Sequence, residues 1–207
     1  MDMAETQMSG RRIPRDLVEI VAAATMIFIV GVWEHLPVVV PNHYTDISSV
    51  FWREGIGTEA HLIPYNQFRF EYPVLVGILV YAASSIRLIV PDFSVAMNYY
   101  TLAMDAALYP FIIGTVVVVY KIVGLIGAQK GRIWKAFLIA PSFLMFTVYN
   151  WDIIAIFFST LSIYFYLKQE KVKSALSLGF GIAGKLYPCM LIPVYILEEK
   201  NWKDRIR

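Results

Sequence analysis

The chain is poor in the residues that redox, zinc and nucleic-acid-binding proteins need. It has one cysteine, Cys189, so no intrachain disulfide can form. Cys189 lies in an apolar run, where burial is expected to raise the thiol pKa and leave it unreactive. The three histidines, His35, His43 and His61, have spacings that match no zinc motif, and they are read as loop residues. Charged residues make up 16% of the sequence, against about 25% in a soluble domain. The net charge of +2 gives no broad surface for nucleic acid. Internal repeats and low-complexity segments are absent too.

Apolar residues fill the space. They make up 58% of the chain, and the mean hydropathy is +0.58; a soluble domain has about 45–50%. These values point to a cell-membrane protein. Arg11, Arg12 and Arg15 precede the first apolar run, and no small-residue cleavage site follows it. That run is therefore expected to stay in the protein rather than leave as a signal peptide.

A span needs about 20 mainly apolar residues. Candidates are Leu17 to Trp33, Met97 to Val123, Trp134 to Tyr149 and Ile153 to Leu167. The last two are short, and Lys135 and Lys168 extend them by snorkelling. Ala175 to Leu197 is broken by Lys185, Pro188 and Pro193 and reads as a helical hairpin with Lys185 and Pro188 near its tip. Tyr72 to Val90 is decided by the positive-inside rule. If it crosses, the clusters around Lys130 and Lys171 fall outside. If it lies at the outer interface, fourteen of the eighteen Lys and Arg residues become cytoplasmic. The second arrangement is the expectation. It gives a multi-pass all-α bundle with a cytoplasmic tail 1–16, a membrane module 17–197 with an external loop 34–97, and a charged cytoplasmic tail 198–207. It also brings Asp46, Asp152 and Lys185 to the outer face.

Each of these residues has two readings. Asp46 suits a general base at the membrane edge, or a helix N-cap. Asn150 and Asp152 open a span; they either cap it and complement its dipole, or orient an acceptor hydroxyl or a metal. Lys185, with no acid near it in sequence, suits a phosphate as a point charge, or snorkels. His43 is placed beside the site by its closeness to Asp46. Gly179, Gly181 and Gly184 match a dinucleotide fingerprint in spacing, but no strand precedes them, so they are read as small residues for close helix packing. The aromatic stretch from Ile63 to Pro73 fits an interfacial belt. Asp105, two turns into its span, either lines the same cavity or pairs with Arg69 or Arg87.

The ordered set of external Asp46, Tyr72-Pro73, Asn150-Trp151-Asp152 and Lys185-Leu186-Tyr187-Pro188 resembles the N-terminal module of GT-C-fold glycosyltransferases. The polyprenyl-phosphate-mannose-dependent mannosyltransferases of family 87 are the nearest resemblance. It implies transfer of a sugar, with mannose expected, from a polyprenyl-phosphate donor to an acceptor on the outer face. Asp46 would be the base, Asp152 the second acidic position and Lys185 the residue at the lipid phosphate. Beside what the resemblance implies, Asn150, Tyr187 and His43 are candidate substrate-binding residues from their positions. The acids are single Asp residues, not a doubled metal motif, so a divalent cation is left open and no other cofactor is implied. Family members carry further C-terminal spans, so the expectation is either a fragment or a short form whose missing spans a partner membrane chain supplies; nucleic acid is not an expected partner. The alternative is a non-catalytic membrane subunit that retains this fold. A small transporter would need polar residues strung through the midplane, where only Asp105 offers itself.

Overall fold

The computed structural model describes residues 13–41, 43–58 and 60–198. Arg11, Arg12, Asn42, Glu59, Lys200, Lys203, Arg205 and Arg207, and with them most of both tails, lie outside the described residues. Helix makes up 72%, and the described residues contain no strand, only an isolated bridge between Pro64 and Phe68. The all-α expectation holds.

The helices are α1 (Arg15–His35), α2 (Asp46–Arg53), α3 (Val74–Ser84), α4 (Phe93–Leu125), α5 (Pro141–Phe146), α6 (Asp152–Leu167), α7 (Lys171–Gly184) and α8 (Leu191–Glu198). Two of them, α1 and α4, are long and apolar enough to cross a membrane. At 33 residues, α4 is about 50 Å long, well beyond the roughly 30 Å of bilayer hydrocarbon. Its start is fixed by Asp92, whose carboxylate accepts the Val95 N–H at 2.8 Å.

α1 and α4 run antiparallel and are joined along their length. The Tyr120 hydroxyl donates to Asp16 at 2.9 Å, Thr25 and Tyr109 share a 2.9 Å hydrogen bond, and the Val38 N–H donates to Asn98 at 2.9 Å. These contacts define an Asp16 end and an Asp46 end of the bundle. On α4, Tyr100, Met104, Leu108 and Ile112 are fully buried. Their four-residue spacing makes one stripe, packed with Ile47, Val50 and Phe51 of α2, Val76 and Val80 of α3, and Ile154 of α6.

α6 lies against α4 where Gly114 leaves room for Phe157; a Cβ at Gly114 would fall 2.5 Å from that ring. α7 returns beside α6. Gly181 faces Ser159 and Phe158, and Gly184 faces Ile154, at ordinary to tight Cβ distances, while Gly179 has nothing nearby. Two of the three glycines thus serve close packing as expected. The chain then turns through Lys185 and the 3-10 segment Tyr187–Met190 into α8. α8 folds back onto α6: the Tyr195 hydroxyl meets Ser162 at 3.0 Å, and Ser162 meets Ser174 of α7 at 3.1 Å. The hairpin therefore turns where the sequence placed its tip.

Two segments differ from plain spans. Trp134 to Tyr149 is not one helix. A π-helical turn, Trp134–Leu138, is followed by a break and the six-residue α5. Pro141 has no N–H to donate and forces Ala140 out of the helical region, and Ala140 is indeed extended (ψ 130°). Even so, the segment runs from the Asp16 end, where Lys130 lies 3.5 Å from Asp16, to the Asp46 end, where the Tyr149 carbonyl accepts the Asp46 N–H at 3.1 Å. The other segment, α3 with the 3-10 turn Ser85–Leu88, starts beside Trp151 and ends at the start of α4. At 11 residues, α3 is about 16 Å long, and both its ends lie at the Asp46 end of the bundle.

Candidate functional site

The structure gathers Asp46, Asn150, Asp152, Lys185 and Tyr187 at one end of the bundle. Neither aspartate caps its helix with its side chain. Thr45, extended at φ −132° and ψ 151°, takes the Ser48 N–H at 3.0 Å, leaving the Asp46 carboxylate free for other work as the first helical residue. Its Oδ1 accepts the Tyr44 hydroxyl at 3.0 Å. At α6 the Asn150 amide oxygen accepts the Asp152 N–H at 2.9 Å, and the Asn150 amide nitrogen reaches Asp152 Oδ2 at 3.3 Å. Asp152 Oδ1 instead accepts from the Lys185 ammonium. Lys185 has no acid near it in sequence, and the fold supplies a distant one. Thirty-three residues of chain separate the pair, and the α6–α7 packing closes that distance.

Tyr187 lies exposed two residues past Lys185. Burial first, and the Asp152 charge second, push its phenol up to about 12, so it is a neutral hydrogen-bond donor under ordinary conditions. Tyr72 stacks edge-on against Trp151 with ring centres 4.6 Å apart. Its phenol is raised by burial first and then by the Asp46 charge. Arg53, at the end of α2, is paired with Glu54 at 2.9 Å and with Glu71. The local reading passed over Tyr44, Tyr72, Arg53 and Tyr149. For Tyr44 and Tyr149 the signal was adjacency to the two acidic positions; for Tyr72 it was the Tyr72-Pro73 step of the ordered set; for Arg53 the sequence carries none.

Several expectations need correction. Asp105 is buried, but neither of its oxygens has a hydrogen-bond partner, so it pairs with neither Arg69 nor Arg87. Arg87 instead donates to the carbonyls of Gly57 and Val90 at 2.9 Å, and to that of Pro91. Cys189 is exposed, in the turn just past Lys185, so the expected burial does not hold. His61 is held by the Tyr81 carbonyl at 3.0 Å, away from the two aspartates. Among the described residues no cluster of His, Cys, Asp or Glu could hold a metal ion; Asp152 is committed to a lysine instead.

His43 belongs to a second feature. A cleft of about 330 Å³ is lined by Glu34, His35, His43, Met145, Phe146 and Tyr149 among others. His35 meets His43 edge-on at 4.8 Å and Tyr149 at 6.0 Å, with its Nδ1 on the Gly31 carbonyl at 2.8 Å. Tyr149 thus serves two places, its carbonyl fixing Asp46 and its ring walling the cleft. No protein-family profile matches this chain, and neither curated proteins nor solved structures show a significant likeness to it.

The far end of the bundle is also charged. The Lys130 ammonium donates to the Tyr120 hydroxyl, which donates to both Asp16 oxygens at 2.9 Å. Lys121 and Lys168 flank the Tyr164 ring at 5.8 and 5.6 Å, and Glu170 bridges Lys168 and Lys173 at 2.9 and 2.5 Å.

Proposed function

We propose that the chain is the N-terminal module of a multi-pass membrane glycosyltransferase of the GT-C kind. It takes a sugar, mannose by resemblance, from a polyprenyl-phosphate donor on the outer face, and its N-terminus is cytoplasmic. One observation carries this reading: an acid in the first loop, an acidic helix start and a hairpin lysine, far apart in sequence, meet at one end of the bundle. The other end carries Lys121, Lys130, Lys168 and Lys173, as the positive-inside rule asks of a cytoplasmic face.

In this reading Asp46 is the general base, oriented by the Tyr44 hydroxyl and the Tyr149 carbonyl. It takes the proton of an acceptor hydroxyl, and that oxygen attacks the anomeric carbon. The bond from that carbon to the phosphate oxygen breaks, and polyprenyl phosphate leaves with its added negative charge. Lys185 stabilises that charge. An ammonium has three donors, so it can keep Asp152 while meeting the phosphate. Asp152 then acts as a positioning residue, and Tyr187 offers a neutral donor to the same phosphate.

The test is transfer from a radiolabelled polyprenyl-phosphate sugar by the full chain in membranes, supplied with any co-purifying chain. Asp46→Asn and Lys185→Ala should each abolish most transfer without loss of folded protein. Equal activity in all three proteins would sink the mechanism. No transfer by any of them would favour the non-catalytic subunit reading.

A further inference from the structure

The cleft of Glu34, His35, His43, Phe146 and Tyr149 has no part in the leaving-group chemistry. It lies at the junction of α1 and α5, whereas the Asp152–Lys185 pair lies at the junction of α6 and α7. α1 packs on α4 and α5, and α7 on α6 and α3, so the two places sit on different flanks of the bundle end. Asp46 is joined to the cleft through Tyr149 and Tyr44, whose rings lie 6.1 Å apart, and its N–H is held by the Tyr149 carbonyl three residues before α6 begins. An attack that displaces a phosphate in line needs the incoming hydroxyl and the departing group on opposite sides of the reacting carbon. The cleft shares with Asp46 the residue Tyr149, whose ring lines it and whose carbonyl holds the Asp46 N–H, so a hydroxyl bound there lies on the Asp46 side of the bundle end.

The walls say what enters. Aromatic rings of His43, Phe146 and Tyr149 offer flat apolar faces. Glu34 offers acceptor oxygens, and the imidazoles offer donors and acceptors. That mixture fits a sugar ring, with an apolar C–H face and a rim of hydroxyls. At about 330 Å³ the cleft is at the small end of ligand pockets, which run from about 300 to 1,000 Å³. It holds one ring, not a polyprenyl tail, and Glu34 beside it disfavours a phosphate. We infer that this cleft is the acceptor subsite and takes a saccharide ring, whose hydroxyl is presented to Asp46. The inference rests on the transferase reading of the site.

Saturation-transfer NMR on the full chain in lipid nanodiscs tests it, with methyl α-mannoside and farnesyl phosphate as separate probes. The glycoside should bind and survive saturating farnesyl phosphate. It should weaken about tenfold in His43→Ala and several-fold in Glu34→Gln. His43 is exposed, so His43→Ala should keep the wild-type melting point. Displacement of the glycoside by farnesyl phosphate or by geraniol, normal glycoside binding in His43→Ala, or no glycoside binding while farnesyl phosphate binds would each overturn the acceptor subsite. In the last case the transferase reading survives. Glycoside binding with no farnesyl phosphate binding would instead remove the transferase reading and leave the cleft as a saccharide site.

Discussion

Each end of the bundle holds a carboxylate and a lysine of similar exposure. The side chains of Asp16 and Lys130 are 46% and 41% exposed, and those of Asp152 and Lys185 are 35% and 36%. Their surroundings differ. At the Asp16 end the Tyr120 hydroxyl stands between the two and bonds both carboxylate oxygens. The group is closed, and it ties the start of α1 to the end of α4 and the loop beyond. At the other end Lys185 touches its acid directly, with a neutral phenol, the Asn150 amide bonded to the same acid and a second aspartate in the same neighbourhood. Similar exposure therefore does not make the two pairs equivalent: one is a clasp, and the other retains capacity for a ligand.

Asp46→Asn should produce the largest effect. Loss of a general base is expected to lower transfer by about a hundredfold or more, with the melting temperature unchanged because Thr45, not Asp46, caps α2. Lys185→Ala comes next, with a drop of about a hundredfold read in single-turnover transfer; Lys185→Arg should recover part of it. A wild-type rate in Lys185→Ala would make the two lysine pairs equivalent after all. Asp152→Asn keeps a partner for the ammonium, so its effect should be several-fold and appear in KM for the lipid donor more than in kcat. Tyr120→Phe opens the clasp at the other end. It should leave transfer unchanged and cost about 1 kcal/mol of stability, seen as a small fall in melting temperature in detergent.

The smallest effect is a pH dependence. Lys168 first, and then Lys173, hold Glu170 below the usual carboxylate range. A lowered carboxylate contributes stability above its unfolded pKa and loses it as pH falls through the folded one. The wild type should therefore lose slightly more thermal stability than Glu170→Gln as the pH falls from about 6 to about 3. Identical slopes would show that this exposed bridge contributes nothing.

The sequence made the long elements legible because they are governed by local rules. The limits of α1, α4 and α6 follow from apolar runs, and the hairpin tip follows from Lys185 and the prolines. The break before Pro141 was written in the chain as well, but a run of hydrophobic residues from Trp134 to Tyr149 outweighed it. What stayed hidden was long-range. Asp152 meets Lys185, and Tyr149 meets Asp46, through packing of helices that no local periodicity encodes. The cap assignment failed for a nearer reason: Thr45 and Asp46 are both good caps, and the backbone chose the residue that was still extended.

The unequal lengths of the helices bear on how the chain enters a bilayer. Among the described residues α1 and α4 alone are long and apolar enough to cross a membrane. The broken stretch through α5 and the short α7 and α8 leave backbone groups that hydrocarbon cannot satisfy. Biogenesis should therefore be staged, with a two-helix intermediate held by the Thr25–Tyr109 bond and the later pieces docking onto it. A released chain truncated near residue 130 should already resist alkaline extraction, whereas residues 131–198 expressed alone should not. The single cysteine offers a clock for the last stage. On the proposed topology, Cys189 should become reachable by an impermeant maleimide from outside only once the hairpin has docked.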